Sequence, residues 1–352
     1  MINILDRGQQ RYKRITAVWL LCIVMILSAA CGKKNSDASD ASSEAESSSS
    51  GSAAAGTDDE RIRIGFVVKE NGRDHWIRMK EAAEQYCEEN GAELLFLAGS
   101  SDAAAAEQIG EIDGLIEEKA DAICVSPISD EMVYAALTRA DDAGIPVFAI
   151  DTDTSFQKRA AYIGSDNYTA AKEGAVYAAG QIRKSGTAVI LRGTLGDSVH
   201  DERTEGIIDG LTTSGVTVCR SLCTSAEDAG NDVQRLLQEL PDLDLVITTE
   251  DEITLAVWKR VLALGNTSVR IYGFDGTEEV ASLTEKYEQV LGTTAQFPEE
   301  VGVRAIQTVL DYLKNGSTET SVKVPHEIIT PENAAEYCTK LSENQYNAVN
   351  ED

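Results

Sequence analysis

Residues 61–76 read RIRIGFVVKENGRDHW, and their order decides the fold. A β-branched apolar run at 62–68 gives way to a polar loop at Lys69 and then to an amphipathic stretch that opens at Asp74. A strand buried on both faces reads as such an uninterrupted apolar run, and a helix directly behind it carries the chain back over the sheet. The rhythm repeats, with strands expected at 93–97, 122–125, 146–150 and 161–163 and helices at 74–89, 103–117 and 130–143. It then restarts. Strands are expected at 187–191, 216–220, 245–248, 269–274 and 290–294, and helices at 168–183, 199–212, 228–238, 252–264 and 277–287. A helix at 298–314 precedes one strand-like run at 321–329. The fold class is therefore α/β: two doubly wound parallel-sheet lobes, which suits a chain of 352 residues better than a single core.

Upstream of residue 61 the composition changes. Arg7, Arg11, Lys13 and Arg14 precede an apolar run at 15–27, followed by Ser28, Ala29, Ala30 and Cys31. That run is shorter than the roughly 20 residues a spanning helix needs, and small residues before a cysteine match a lipoprotein export signal. Cys31 is thus expected to be the lipidated first residue of the mature chain, after a signal at 1–30. Residues 33–60, KKNSDASDASSEAESSSSGSAAAGTDDE, lack aromatic and branched aliphatic side chains, so 31–60 reads as a disordered tether. Its reach is about 30 Å.

The net charge of −28 falls almost wholly beyond residue 60, because the first 60 residues nearly balance. Such a surface repels phosphate backbones, and no basic stripe counters it, so nucleic acid is not an expected partner. Five cysteines lie beyond Cys31; an odd number cannot all pair, and most are expected to be small buried residues, with Cys219 and Cys223 the nearest couple. Three histidines, His75, His200 and His326, are too few for a histidine-rich metal centre. There is no nucleophile elbow, dinucleotide fingerprint or phosphate loop, so neither catalysis nor a cofactor is expected.

In an open parallel sheet the ligand sits beyond the carboxyl ends of the strands. Those ends carry Lys69, Arg73, His75 and Trp76 after the first strand, Ser126 after the third, and Asp151 and Asp153 after the fourth. In the second half they carry Arg203, Glu250, Asp275 and Gln296. Carboxylates and amides accept paired hydroxyls, arginine supplies a fork of donors, and an aromatic face covers an apolar sugar face, which suits a polyhydroxylated small ligand. Plainer readings stand beside these: Trp76 as the first buried residue of its helix, Arg203 as a surface partner of Asp201 or Glu205, and Asp275 as the cap of the next helix. Trp258, Tyr287 and Tyr312 fall at apolar helical spacing and are expected in the core.

The motifs 61–76, GIPVFAID at 144–151, IGSDN at 163–167, ERTEG at 202–206, GFDGT at 273–277 and AQFP at 295–298 occur in an order that resembles the sugar-binding, ribose-binding-like branch of the type I periplasmic binding proteins. The resemblance implies that Arg73, His75, Trp76, Ser126 and Asp151 line one wall, with Arg203, Asp275 and Gln296 on the other. It also implies discontinuous lobes, 61–165 with 297–325 and 166–296 with 326–341, closing on ligand about crossings near Ser165, Gln296 and Pro325 and leaving 342–352 as a tail. The expected role is a monomeric, lipid-anchored protein on the extracellular face of the cell membrane that passes a sugar or polyol to an ABC transporter permease or reports it to a sensor kinase. Ribose-type proteins carry aromatics at the places of His75 and Trp76, asparagine at those of Ser126 and Glu250, and arginine at that of Thr152. The more acidic site suggests an amino sugar, a cyclitol or another charged polyol.

Overall fold

The computed structural model describes residues 61–101 and 104–343. The signal, Cys31 and the tether lie outside the described residues, as does nearly all of the tail. In chain order the first part runs β1 (Ile62–Val68), α1 (Asp74–Glu89), β2 (Ala92–Ala98), α2 (Ala105–Glu117), β3 (Ala122–Val125), α3 (Asp130–Asp142), β4 (Val147–Ile150) and β5 (Ala161–Ser165). The second runs α4 (Asn167–Gly180), β6 (Thr187–Arg192), α5 (Ser198–Thr213), β7 (Thr217–Cys223), α6 (Ala229–Glu239), β8 (Leu245–Thr248), α7 (Asp251–Ala263), β9 (Arg270–Asp275), α8 (Glu278–Lys286) and β10 (Val290–Ala295). The last stretch holds α9 (Pro298–Asn315), β11 (Ser321–Val324), β12 (Glu327–Ile329) and α10 (Ala334–Ser342).

These strands form two six-stranded sheets, ordered β11-β5-β4-β3-β1-β2 and β12-β10-β9-β8-β6-β7. All neighbours are parallel except β10 and β12. In each sheet the first strand of the unit, β1 or β6, has neighbours reached in opposite directions, so a crevice opens at its carboxyl end. The central strands are buried along their whole length, as continuous apolar runs demand.

The chain passes between the lobes three times, at Ser165 to Asn167, at Gln296 to Phe297, and at Pro325 to His326. The run expected as one strand at 321–329 is instead two, one on each sheet. Proline has no N–H to continue a ladder, which places the break at Pro325. Helix α9 returns to the first lobe, where Gly302 lets it lie against the Met79 carbonyl of α1. The short α10, not expected from the sequence, packs on α8.

Two other expectations are corrected. The five cysteines are all free, and only Cys87 and Cys124 are buried, while Cys219 and Cys223 are exposed. Both exposed thiols lie on β7, four residues or roughly 13 Å apart along the strand, beyond the reach of a disulfide. Trp258 is core, but Tyr287, packed on it with ring centroids 4.5 Å apart, is exposed.

Helices α4 and α5 approach closely because α5 presents Gly206 and Gly210 to α4, where a Cβ at Gly210 would meet the Lys172 carbonyl oxygen and the Ala175 methyl. A Cβ at Gly206 would run into the Tyr168 carbonyl oxygen. Gly206→Ala is therefore expected to destabilise the fold by about 1–3 kcal/mol, since backbone cannot yield as a side chain does. Urea denaturation followed by circular dichroism checks this; an unchanged midpoint would show that the helices separate freely.

Candidate binding site

The first wall is assembled by loops behind β1, β3 and β4. Gln108, fully buried on α2, donates through Nε2 to the Ser126 carbonyl at 2.8 Å and accepts from the Ile128 N–H at 2.9 Å, fixing the β3 loop. Asp151 follows β4 with φ of 61°, in a tight turn closed by the Thr152 N–H on the Ile150 carbonyl at 2.6 Å. This positive-φ γ-turn is uncommon for a residue with a Cβ. The Asp151 carboxylate accepts from His75 Nε2 at 2.9 Å, Thr152 Oγ1 at 3.1 Å and Ser126 Oγ at 3.4 Å. Burial opposes its charge, yet His75, with Lys69 and Arg203 beyond, outweighs burial and holds the carboxyl down at about 2.

The second wall is an open ring of polar side chains. Arg203, buried on α5, donates to Asn167 Oδ1 at 2.9 Å, to the Thr249 carbonyl at 2.8 Å and to Asp275 Oδ1 at 3.1 Å. Its guanidinium lies 3.9 Å from the centre of the Phe274 ring. Gln296 Nε2 donates to Asp275 Oδ1 at 2.8 Å, and its Oε1 accepts from Ser165 Oγ at 3.3 Å. Ser165, Asn167 and Gln296 all belong to crossings, so the ring joins the hinge to the site. Asp275 sits at φ of 126°, a region almost reserved for glycine. Its Oδ2 accepts from the Asp251 N–H at 3.1 Å. Asp251 itself is fully buried and takes Thr293 Oγ1 at 3.0 Å and both the N–H and the hydroxyl of Thr277. Burial and the neighbouring Asp275 push its carboxyl well above the usual range.

Charged side chains span the opening. Lys69 Nζ meets Asp197 Oδ2 at 3.0 Å, and Arg73 reaches Glu252 at 3.5 Å and Glu250 at 3.9 Å while also pairing with Glu70. Glu250 is the N-cap of α7, and burial together with Asp275 pushes its carboxyl up to about 7, against the pull of Arg73. His200, whose Nδ1 lies 2.9 Å from Thr249 Oγ1, is pushed down to about 3 by burial and the Arg203 charge, so it is neutral at pH 7.

A model of the periplasmic binding protein domain matches residues 64–317. The chain belongs to that family. The ribose import binding protein of Bacillus subtilis (strain 168) is 24% identical to this binding protein over 269 residues, 76% of this chain and 87% of that one. The D-ribose/D-allose-binding protein of Pseudomonas aeruginosa is 26% identical over 286 residues, covering 77% and 89%. Among solved structures, a solute binding protein of Actinobacillus succinogenes with bound D-allose superposes with a TM-score of 0.74 at 21% identity, covering 79% of this chain and 100% of that chain. A Caulobacter myo-inositol binding protein does so with 0.70 at 19%, covering 78% and 95%. The fold is that of the type I periplasmic binding proteins.

In this binding protein the sequence-expected residues fall into three groups. His75, Ser126 and Asp151 touch one another, and so do Arg203, Asp275 and Gln296. Lys69, Arg73 and Glu250 make the contacts between lobes. Trp76 is buried in the first-lobe core, edge-on to His75 with centroids 4.8 Å apart. Asp153 is held by the Arg159 fork at 2.6 and 2.8 Å. Arg203 is no surface partner of Asp201, which binds Arg192. Thr277, not Asp275, caps α8. The expected site residues did not include Gln108, Asn167, Asp197, His200, Thr249 and Asp251, although Asn167, Thr249 and Asp251 stand directly beside a strand end or crossing.

A carboxyl whose pKa rises on folding keeps its proton in the native state longer than in the unfolded chain, so stability falls as pH rises from the ordinary glutamate value to about 7. Glu250→Gln removes that loss. The variant is expected to gain up to about 3 kcal/mol over the parent between pH 4 and pH 8. Denaturation midpoints across that range check it; a constant difference would mean that Glu250 is charged throughout.

Proposed function

We propose that this protein captures a sugar or sugar-like polyol in the cleft and delivers it to an ABC transporter permease, held at the extracellular face of the cell membrane by a lipid on Cys31. The observation that carries the reading is the pair of facing polar walls, Asp151 with His75 and Ser126 against Arg203 with Asp275 and Gln296. Each wall lies at the carboxyl ends of parallel strands in a fold whose relatives include ribose, allose and myo-inositol binding proteins. Oriented acceptors beside one guanidinium bind vicinal hydroxyls well. The role is binding, with closure of the lobes as its mechanical output.

A thermal-shift screen of the Cys31→Ser protein against pentoses, hexoses, amino sugars and cyclitols tests capture. A ligand at 100 times its dissociation constant adds about 2.7 kcal/mol to the folded state, a shift of several degrees. Asp275→Asn keeps the side-chain shape while removing the charge, and is expected to weaken binding tenfold or more. A flat response to the whole panel would overturn the reading. Lipidation is tested in cells: Cys31→Ser is expected to move the protein from the membrane fraction to the medium, and a mature chain retained in the membrane without Cys31 would refute the anchor.

A further inference from the structure

The cations of the cleft are committed. Lys69 lies 3.0 Å from Asp197, Arg203 lies 3.1 Å from Asp275, and Arg192 pairs with Asp201. Arg73 is shared among Glu70, Glu250 and Glu252. An anionic ligand would meet each of them already facing a carboxylate.

Glu250 stands in the opposite position. Its side chain is only 17% exposed, and among the described residues its one charged contact is Arg73 Nη1 at 3.9 Å, beyond hydrogen-bond distance. Asp151 and Asp275, by contrast, each accept three hydrogen bonds from protein donors. Glu250 is placed by structure rather than by a capping bond, since the N-cap of α7 makes no side-chain hydrogen bond to the helix. It stands one residue beyond Thr249, whose carbonyl holds Arg203, and it feels the Asp275 charge. A shielded carboxylate with no protein donor, beside residues that hold hydroxyls, is matched by a donor that brings its own positive charge.

We infer that Glu250 is the specificity-determining residue of the cleft and that the ligand is an amine-bearing polyol, an amino sugar, amino alditol or aminocyclitol, whose ammonium group it binds. The inference rests on the capture reading above and names its substrate class. Hydroxyls of the ligand fall to Asp151, Asp275 and Gln296, and the ammonium to Glu250. The groups facing Glu250 are Arg73 from the loop after β1, Arg203 from α5, Glu252 from α7 and Asp275 from β9. A bound ammonium adds a third cation among them, and the charge-assisted bond it makes is stronger than one from a neutral hydroxyl.

Matched pairs test this by isothermal titration calorimetry on the Cys31→Ser protein: D-glucosamine with D-glucose, D-glucamine with D-sorbitol, and an inosamine with myo-inositol. In the pairs that bind, the amine is expected to bind at least tenfold tighter than its hydroxyl counterpart. Glu250→Gln should bring that ratio to within about twofold of unity, chiefly by weakening the amine member, with circular dichroism confirming the fold. Glu250→Asp, which keeps the charge, should retain part of the preference. Hydroxyl members that bind as tightly as the amines, or an amine preference that survives Glu250→Gln, would overturn the assignment while leaving capture intact. Silence from every amine, with a neutral sugar or polyol found by the thermal-shift panel, would overturn the assignment alone; a flat response to that whole panel would overturn capture and the assignment with it.

Discussion

The contact between Arg203 and Asp275 is the constraint on which the site depends. Arg203 reaches four partners on different elements: Asn167 at the start of α4, Thr249 after β8, and Asp275 and the Phe274 ring at the end of β9. A buried guanidinium is tolerable only when its charge is met and its donors are filled. The ends of three elements are therefore brought together around one side chain. Removing it would strand Asp275 beside Asp251 and Glu250, and losing one partner of a buried pair typically costs about 3–5 kcal/mol. Binding geometry and second-lobe stability are in this sense one property.

The two aspartates of the walls also share a backbone condition. Asp151 and Asp275 are two of four non-glycine residues with positive φ among the described residues. Each such conformation costs on the order of 1–3 kcal/mol and persists only where its surroundings hold it. For Asp151 the restraint is the bond from its own N–H to the Ile163 carbonyl at 2.8 Å, with His75 on the side chain. For Asp275 it is the Asp251 N–H on one oxygen and Arg203 with Gln296 on the other. Asp251 is best understood as the support of that turn: its carboxyl, pushed up by burial and by Asp275, accepts from Thr277 and Thr293 and so ties the start of α7 to the segments behind β9 and on β10. The strain sits where a side chain must point out of a sheet end into the crevice.

The lobes and most of their strands were legible because a parallel strand covered on both faces leaves an unbroken apolar run, and the helices between show their own period. The failures have physical causes. At 321–329 the apolar pattern continues while Pro325 ends the ladder, so periodicity alone joins two strands that belong to different sheets. Helix α10 is only nine residues long, so its apolar positions, Ala334, Tyr337, Cys338 and Leu341, span little more than two turns and give too short a periodic signal to read. In the site, residues at strand ends were visible because topology assigns them a place. Gln108 was not, because its role comes from burial on a neighbouring helix, and polar helical residues read as solvent-facing until packing is known. The choice between cap and ligand contact for Asp275 turned on Thr277, two residues further on, which supplies the cap.

What holds the lobes together across the opening is charge rather than apolar surface. Lys69 with Asp197 is the shielded contact, their side chains 12% and 19% exposed, whereas Arg73 and Glu252 are 39% and 49% exposed. Exposed pairs contribute about 0–1 kcal/mol and weaken with salt, so these contacts bias closure without fixing it. A ligand shifts such an equilibrium only by the difference in its affinity for the two states. Because the Asp151 wall and the Arg203 ring belong to different lobes, a polyol captured as proposed, long enough to touch both, would bind the closed form better. The Ser165 and Gln296 contact at the crossings then lies within the same hydrogen-bonded ring as the ligand's acceptors. Marginal closure by ion pairs is thus what allows ligand binding, rather than the resting electrostatics, to decide the conformation.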